Sequence, residues 1–165
     1  MRLTSLLKLL VPAVLIVSAP LPATAGPKEQ ALLKSYVGTW GGSGQVTGPM
    51  AGPVDCKLKF TSGSNNKLTY TGACKFGKGQ TDFRGTLIYN EGSKRYETAG
   101  SGQGVAVSGV GKVSGGNITF SVSNLETSYG IASSTMVFAG SSIKLSFKLV
   151  DMKGTTASSI SFRKS

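Results

Sequence analysis

The sequence contains no histidine among its 165 residues. Histidine is the usual general base near neutral pH, and it is also a frequent ligand of zinc and of haem iron. Its absence excludes Ser-His-Asp and Cys-His hydrolase mechanisms and the ordinary histidine-bound zinc and haem sites. We therefore predict no metal site and no cofactor.

Acidic residues are also scarce. Asp and Glu number 7 against 18 Lys and Arg, which gives a formal net charge of +11. A pair of carboxylates is one route to glycoside hydrolysis, but alternation along the chain predicts Asp55 and Asp82 on a polar face, and Glu91, Glu126 and Asp151 lie in or beside predicted turns. Such carboxylates are typical of solvated surfaces. We expect no catalytic residues and predict that the chain is not an enzyme.

Long apolar runs are missing too, since no stretch approaches the ~18 apolar residues of a membrane-spanning helix. The apolar run 9–17 follows the positively charged Arg2 and Lys8 and precedes Ala23-Thr24-Ala25. This order of charged, apolar and small residues is typical of a secretory signal peptide. We predict that residues 1–25 are a signal peptide and that 26–165 form one exported domain, periplasmic in a Gram-negative cell and otherwise secreted.

Glycine, by contrast, is abundant. The chain has 23 glycines interleaved with Ser, Thr and Val, which is about twice the usual ~7%. From Trp40 onward apolar residues recur at every second position, as in 54–60, and turn clusters such as 90–93 and 114–117 separate the runs. This pattern predicts an antiparallel meander of about ten strands. Before it, residues 28–37 carry apolar side chains at helical spacing, which predicts one short helix.

The only two cysteines, Cys56 and Cys74, lie at the two ends of one predicted hairpin. A turn centred on Asn65 places Cys56 opposite Cys74 and Phe60 opposite Tyr70. Directly opposed residues of antiparallel strands are close enough for a disulfide, and such a bond persists in exported proteins. We predict a structural disulfide between the two cysteines.

The pattern predicts an all-β fold: a single antiparallel up-and-down β-barrel of about 8–10 strands with a short N-terminal helix. A membrane barrel is the alternative, but the polar face includes Lys57, Lys59, Lys144 and Lys148. We therefore expect the apolar faces to point inward in a soluble barrel that does not span a membrane. The aromatic residues expected inside include Phe60, Tyr70, Phe83, Tyr89, Tyr96, Phe120 and Phe147.

The segment Tyr36-Val37-Gly38-Thr39-Trp40 follows the predicted helix and resembles the Gly-x-Trp opening of lipocalin-like (calycin-type) barrels. The chain is also similar to small exported lipocalin-like bacterial proteins of unassigned function. The resemblance implies that Gly38 and Trp40 belong to the closed end of the barrel and that Arg163 packs across Trp40. It implies further that the barrel is a non-catalytic binding protein for a small apolar or amphipathic ligand, with Phe60, Tyr70, Phe83, Tyr89, Phe120 and Phe147 as lining residues.

Two other functions fit the same features. Bacteria export lipocalin-like inhibitors of their own secreted proteases, in which an N-terminal tail enters the protease cleft; here that tail would begin at Gly26. Alternatively, the basic surface binds anionic polymers of the cell envelope by attraction that salt screens. Nucleic acid is a disfavoured partner, because the basic residues are scattered along the sequence.

Overall fold

Ten antiparallel strands form one closed barrel in the computed structural model, which describes residues 26–77 and 79–165. The predicted signal peptide lies outside the described residues. The elements are α1 (Pro27–Ser35), β1 (Gly38–Thr47), β2 (Gly52–Ser62), β3 (Leu68–Phe76), β4 (Gly79–Asn90), β5 (Arg95–Gly102), β6 (Val105–Ser114), β7 (Asn117–Thr127), β8 (Gly130–Ala139), β9 (Ser142–Asp151) and β10 (Gly154–Lys164). Each strand pairs with its neighbours in sequence, and β1 closes on β10. The predicted all-β, up-and-down barrel with a short N-terminal helix is confirmed.

The two ends of the barrel differ. Helix α1 packs at one end, where Leu33 and Tyr36 are buried and Gln30 donates a hydrogen bond to Glu91 at 2.8 Å. We call this the closed end. The opposite, open end is formed by the turns at 48–51, 103–104, 128–129 and 152–153 and by the turn that begins at Gly77.

The β2–β3 hairpin has the predicted register. Cys56 pairs with Cys74 and Phe60 with Tyr70, and the two cysteines form a disulfide with a Cα–Cα distance of 4.1 Å. In the turn, Asn65 and Asn66 have φ values of 54° and 57°, in the left-handed region that asparagine tolerates better than most residues. The predicted disulfide is therefore present.

Glycine makes room inside the barrel for large side chains on neighbouring strands. A Cβ atom at Gly42 would lie 2.6 Å from the ring of Phe162, and one at Gly100 would lie 2.6 Å from the hydroxyl of Tyr70. Because a side chain at either position would overlap a ring, the barrel needs glycine there. This packing accounts for part of the high glycine content.

The barrel wall is least regularly paired between β6 and β7. Only the closed-end residues Lys112, Val113 and Ser114 have register partners on β7, at residues 117–119. In β7, the register with β8 shifts between Val122 and Leu125. The wall of the open end is therefore less regular along 105–111, where β6 has register partners on β5 but not on β7 among the described strands.

Candidate functional site

Trp40 lies in the closed half of the interior and is only 1% exposed. Its Nε1 donates a hydrogen bond to the carbonyl oxygen of Tyr36 at 2.9 Å. The Nζ atom of Lys164 lies 5.8 Å from the centre of the indole ring and donates to the carbonyl oxygen of Ser35 at 3.0 Å. This arrangement ties the helix, the first strand and the last strand together.

Arg163 does not take the position that the resemblance implied. In the register of β1 and β10, Trp40 pairs with Lys164, whereas Arg163 pairs with Gly41. Since side chains alternate along a strand, Arg163 faces outward and is exposed. The cation that packs across Trp40 is therefore Lys164.

Two of the six aromatic residues predicted to line a ligand site lie in the buried core. Phe60 and Phe120 are buried, and their ring centres lie 5.8 Å and 6.0 Å from that of Phe138. Aromatic rings at these distances stabilise one another. Phe60 and Phe120 thus belong to the packed core of the closed half.

Tyr70, Phe83 and Tyr89 are half-buried and pack against this core. The ring of Tyr70 lies 6.5 Å from that of Phe83, and the ring of Tyr89 lies 5.1 Å from that of Tyr96. Burial, followed by the negative charge of Glu29 and interactions with other tyrosines, raises the pKa of Tyr96 to about 12. Its hydroxyl is therefore neutral at physiological pH.

The remaining predicted residue, Phe147, lies in a different environment. It shares the inward face of β9 with the buried Ile143 and Leu149, yet it is 36% exposed. Its register partners are Ser134 on β8 and Ser158 on β10. Because both neighbours are small, they cover little of the phenyl ring.

Other inward-facing side chains toward the open end are also only partly buried. They share the inward face of their strands and are mostly apolar: Val105, Val107, Val122, Leu125 and Ala132. A side chain on the inner face of a closed barrel is accessible from within or through the barrel mouth. We call the part of the interior lined by these five residues, Phe147, Ser134 and Ser158 the open half of the interior.

Large apolar side chains lie on three turns at the rim of the open end. Met50 is 48% exposed, Tyr129 is 61% exposed and Met152 is fully exposed. Their turns are neighbours along the rim, because β8, β9, β10 and β1 are adjacent in the barrel. The mouth of the barrel is therefore apolar along one arc.

Within residues 26–77 and 79–165, no group of three or more His, Cys, Asp or Glu residues is placed to hold a metal ion. No helix in the described part of the chain is long and apolar enough to cross a membrane. The chemistry available in the open half of the interior is therefore that of apolar surface and serine hydroxyl groups.

No protein-family model and no curated protein matches the chain. Solved structures do match it. Rv2717c from M. tuberculosis has a TM-score of 0.60 and 17% sequence identity, over 84% of this chain and 98% of that one. The S-type phycobiliprotein lyase CPES from Guillardia theta has a TM-score of 0.54 and 12% identity, over 83% of this chain and 92% of that one.

These likenesses show the fold alone, a closed β-barrel. They also correct one prediction. We predicted that the chain is not an enzyme, but a protein named as a lyase has the same barrel fold. The prediction, which rested on the absence of histidine and the scarcity of acidic residues, is therefore wrong. Function depends on the site that a fold carries and not on the fold itself.

Proposed function

We propose that the chain binds a small apolar or amphipathic molecule in the open half of the barrel interior. The observation that carries this proposal is the environment of Phe147, an inward-facing aromatic residue that is 36% exposed and lies between two serines. A large apolar side chain normally gains free energy by burial. An apolar ligand would supply that burial.

The surroundings favour an apolar ligand over a highly polar one. Val107, Val122 and Leu125 line the same space, and Met50 and Met152 lie at its mouth. The hydroxyl groups of Ser134 and Ser158 are the nearest polar groups in the register of Phe147. An apolar site with a few polar groups is typical of small-molecule sites.

The known structures are consistent with this proposal. A barrel can enclose a ligand where its interior is not filled by side chains, and in this chain Phe147 and Val107 on the inward face are only partly buried. The phycobiliprotein lyase, whose structure is similar, is an example of a β-barrel with a named function.

Binding is tested by titrating the protein with N-phenylnaphthylamine, a neutral fluorophore whose emission rises in apolar surroundings. We expect saturable binding to the wild type. The variant Ser134→Phe places a ring beside Phe147 and is expected to weaken binding by about tenfold or more, since filling the space removes most of the area that the ligand buries. The matched control is Ser133→Phe on the other face of the same strand, which should bind as the wild type does.

Circular dichroism and thermal melting establish that both variants are folded. If folded Ser134→Phe binds the fluorophore as tightly as the wild type, the open half is not the site. Equal loss of binding in Ser133→Phe and Ser134→Phe contradicts the proposal as well, because the outward residue does not border the interior.

The alternative function as a protease inhibitor needs a free N-terminal tail starting at Gly26. In the structure Gly26 is buried, and residues 27–35 form α1. Leu33 and Tyr36 anchor this segment in the core. The residues expected to enter a protease are thus held against the barrel, and we propose no inhibitory role.

We also propose that the chain is exported to the periplasm or secreted, with residues 1–25 removed and 26–165 forming the domain. The Cys56–Cys74 disulfide supports this proposal, because such bonds persist in oxidising compartments. N-terminal sequencing of the protein recovered from the cell envelope or medium is expected to begin at Gly26. Recovery of the chain only in the cytoplasm, with Met1 or Arg2 at its start, would contradict export.

A further inference from the structure

Two adjoining clefts lie on the outer wall of the barrel, away from the proposed ligand site. One crosses β10, β1, β2 and β3 and has a volume of about 530 Å³. The other crosses β1 to β6 and has a volume of about 810 Å³. Both are lined by Lys57 and Ala73, so together they form one continuous depression, which we call the basic groove.

The groove is concave because small residues form its floor. Gly41, Ser43, Ala73 and Ser161 line the first cleft, and each of them faces outward by strand alternation. Arg163 pairs with Gly41, and Gly41 pairs with Lys57. Two long cationic side chains therefore stand on either side of a residue that has no side chain.

The groove carries more positively charged than negatively charged side chains. Its five cations are all exposed: Lys57, Lys59, Lys75, Arg84 and Arg163. Its two acids are Asp55, which pairs directly with Lys75, and Asp82. Five cations against two anions leave an excess of three positive charges on one face, and a concave surface lined by one sign of charge attracts ions of the opposite sign.

We propose that the basic groove binds an extended anionic polysaccharide. Lysine and arginine side chains of the groove bind its carboxylate or sulfate groups. The hydroxyl groups of Ser43 and Ser161 and the exposed backbone at Gly41 are placed to hydrogen-bond sugar hydroxyls. The groove extends over seven adjacent strands, β10 and β1 to β6, which suits a chain-like ligand better than a single ion.

Nucleic acid fits the groove less well. Proteins read duplex DNA by inserting a helix or a two-stranded ribbon into the major groove, whereas this surface is a depression. Proteins that hold single strands stack the bases on aromatic side chains. Phe83 lines the second cleft but belongs to the inward face of β4. Among the outward-facing residues of β10 and β1 to β4, which all lie in the described part of the chain, none is aromatic.

The proposal is tested by measuring the affinity of the protein for polygalacturonate at low and moderate salt. The double variant Lys57→Gln/Arg163→Gln is expected to bind about tenfold more weakly, from the loss of two ion pairs in one contact surface. The matched control Arg95→Gln/Lys112→Gln removes the same charge from exposed positions on β5 and β6, outside the groove. It should bind within about twofold of the wild type, since only long-range attraction is lost.

A second variant, Ser43→Ile, leaves the charge unchanged and fills the floor of the groove, and it is also expected to weaken binding severalfold. Equal loss in the two double variants would overturn the proposal, because net charge alone would then account for binding. Tighter binding of duplex DNA or of anionic lipid vesicles than of polygalacturonate would overturn the choice of ligand. Binding of N-phenylnaphthylamine is expected to be unchanged in all three variants, which separates this site from the barrel interior.

Discussion

Trp40→Ala is expected to lower the free energy of unfolding by about 3 to 5 kcal/mol, the usual cost of truncating a large buried aromatic residue. The indole is 1% exposed and its ring centre lies 5.8 Å from that of Tyr36. The substitution also removes the donor of the hydrogen bond to Tyr36 and leaves Lys164 without the ring that it covers. Denaturant unfolding measures the loss.

Two controls accompany this variant. Trp40→Phe keeps an aromatic ring at the position and should lose less stability than Trp40→Ala. Tyr129→Ala removes an aromatic side chain that is 61% exposed, and it should change stability by no more than about 0.5 kcal/mol. If Trp40→Ala were as stable as Tyr129→Ala, Trp40 would not be the packing centre of the closed end.

Replacing both cysteines by alanine is expected to lower the free energy of unfolding by about 3 kcal/mol, the value for closing a loop of this length. Cys56 and Cys74 are 18 residues apart in sequence, and both are buried. The bond restricts the unfolded chain, so its removal stabilises the unfolded state more than it disturbs the folded barrel. Chemical denaturation of the variant and the wild type measures the difference.

A reducing agent provides the control for the disulfide. It should destabilise the wild type by a similar amount and have no effect on Cys56→Ala/Cys74→Ala. Equal stability of the oxidised wild type and the double variant would show that the clamp contributes nothing. Free thiols in the native wild type would show that the bond is absent.

The local pairings of this fold could be predicted from the sequence. The register of the β2–β3 hairpin follows from the positions of the two cysteines and of Asn65 in the turn, because a short hairpin has few ways to align its apolar faces. Alternation of apolar residues predicted the strands for the same reason. Both features depend on residues that are close together along the chain.

The pairing that closes the barrel could not be predicted in this way. Whether Arg163 or Lys164 lies opposite Trp40 depends on the register between the first and last strands, and neighbouring sequence does not specify that register. The same is true of Phe147, which differs from Phe60 and Phe120 only through small partners on other strands. The basic groove likewise brings together cations that are scattered along the sequence.

Ligand binding in the open half of the interior is tested most directly by nuclear magnetic resonance of the full domain titrated with N-phenylnaphthylamine. We predict that signals of Val107, Leu125 and Phe147 shift in a saturable manner, while those of Trp40 in the closed half and Lys57 in the basic groove stay in place. Shifts confined to the outer wall, or no shift at saturating fluorophore, would contradict it.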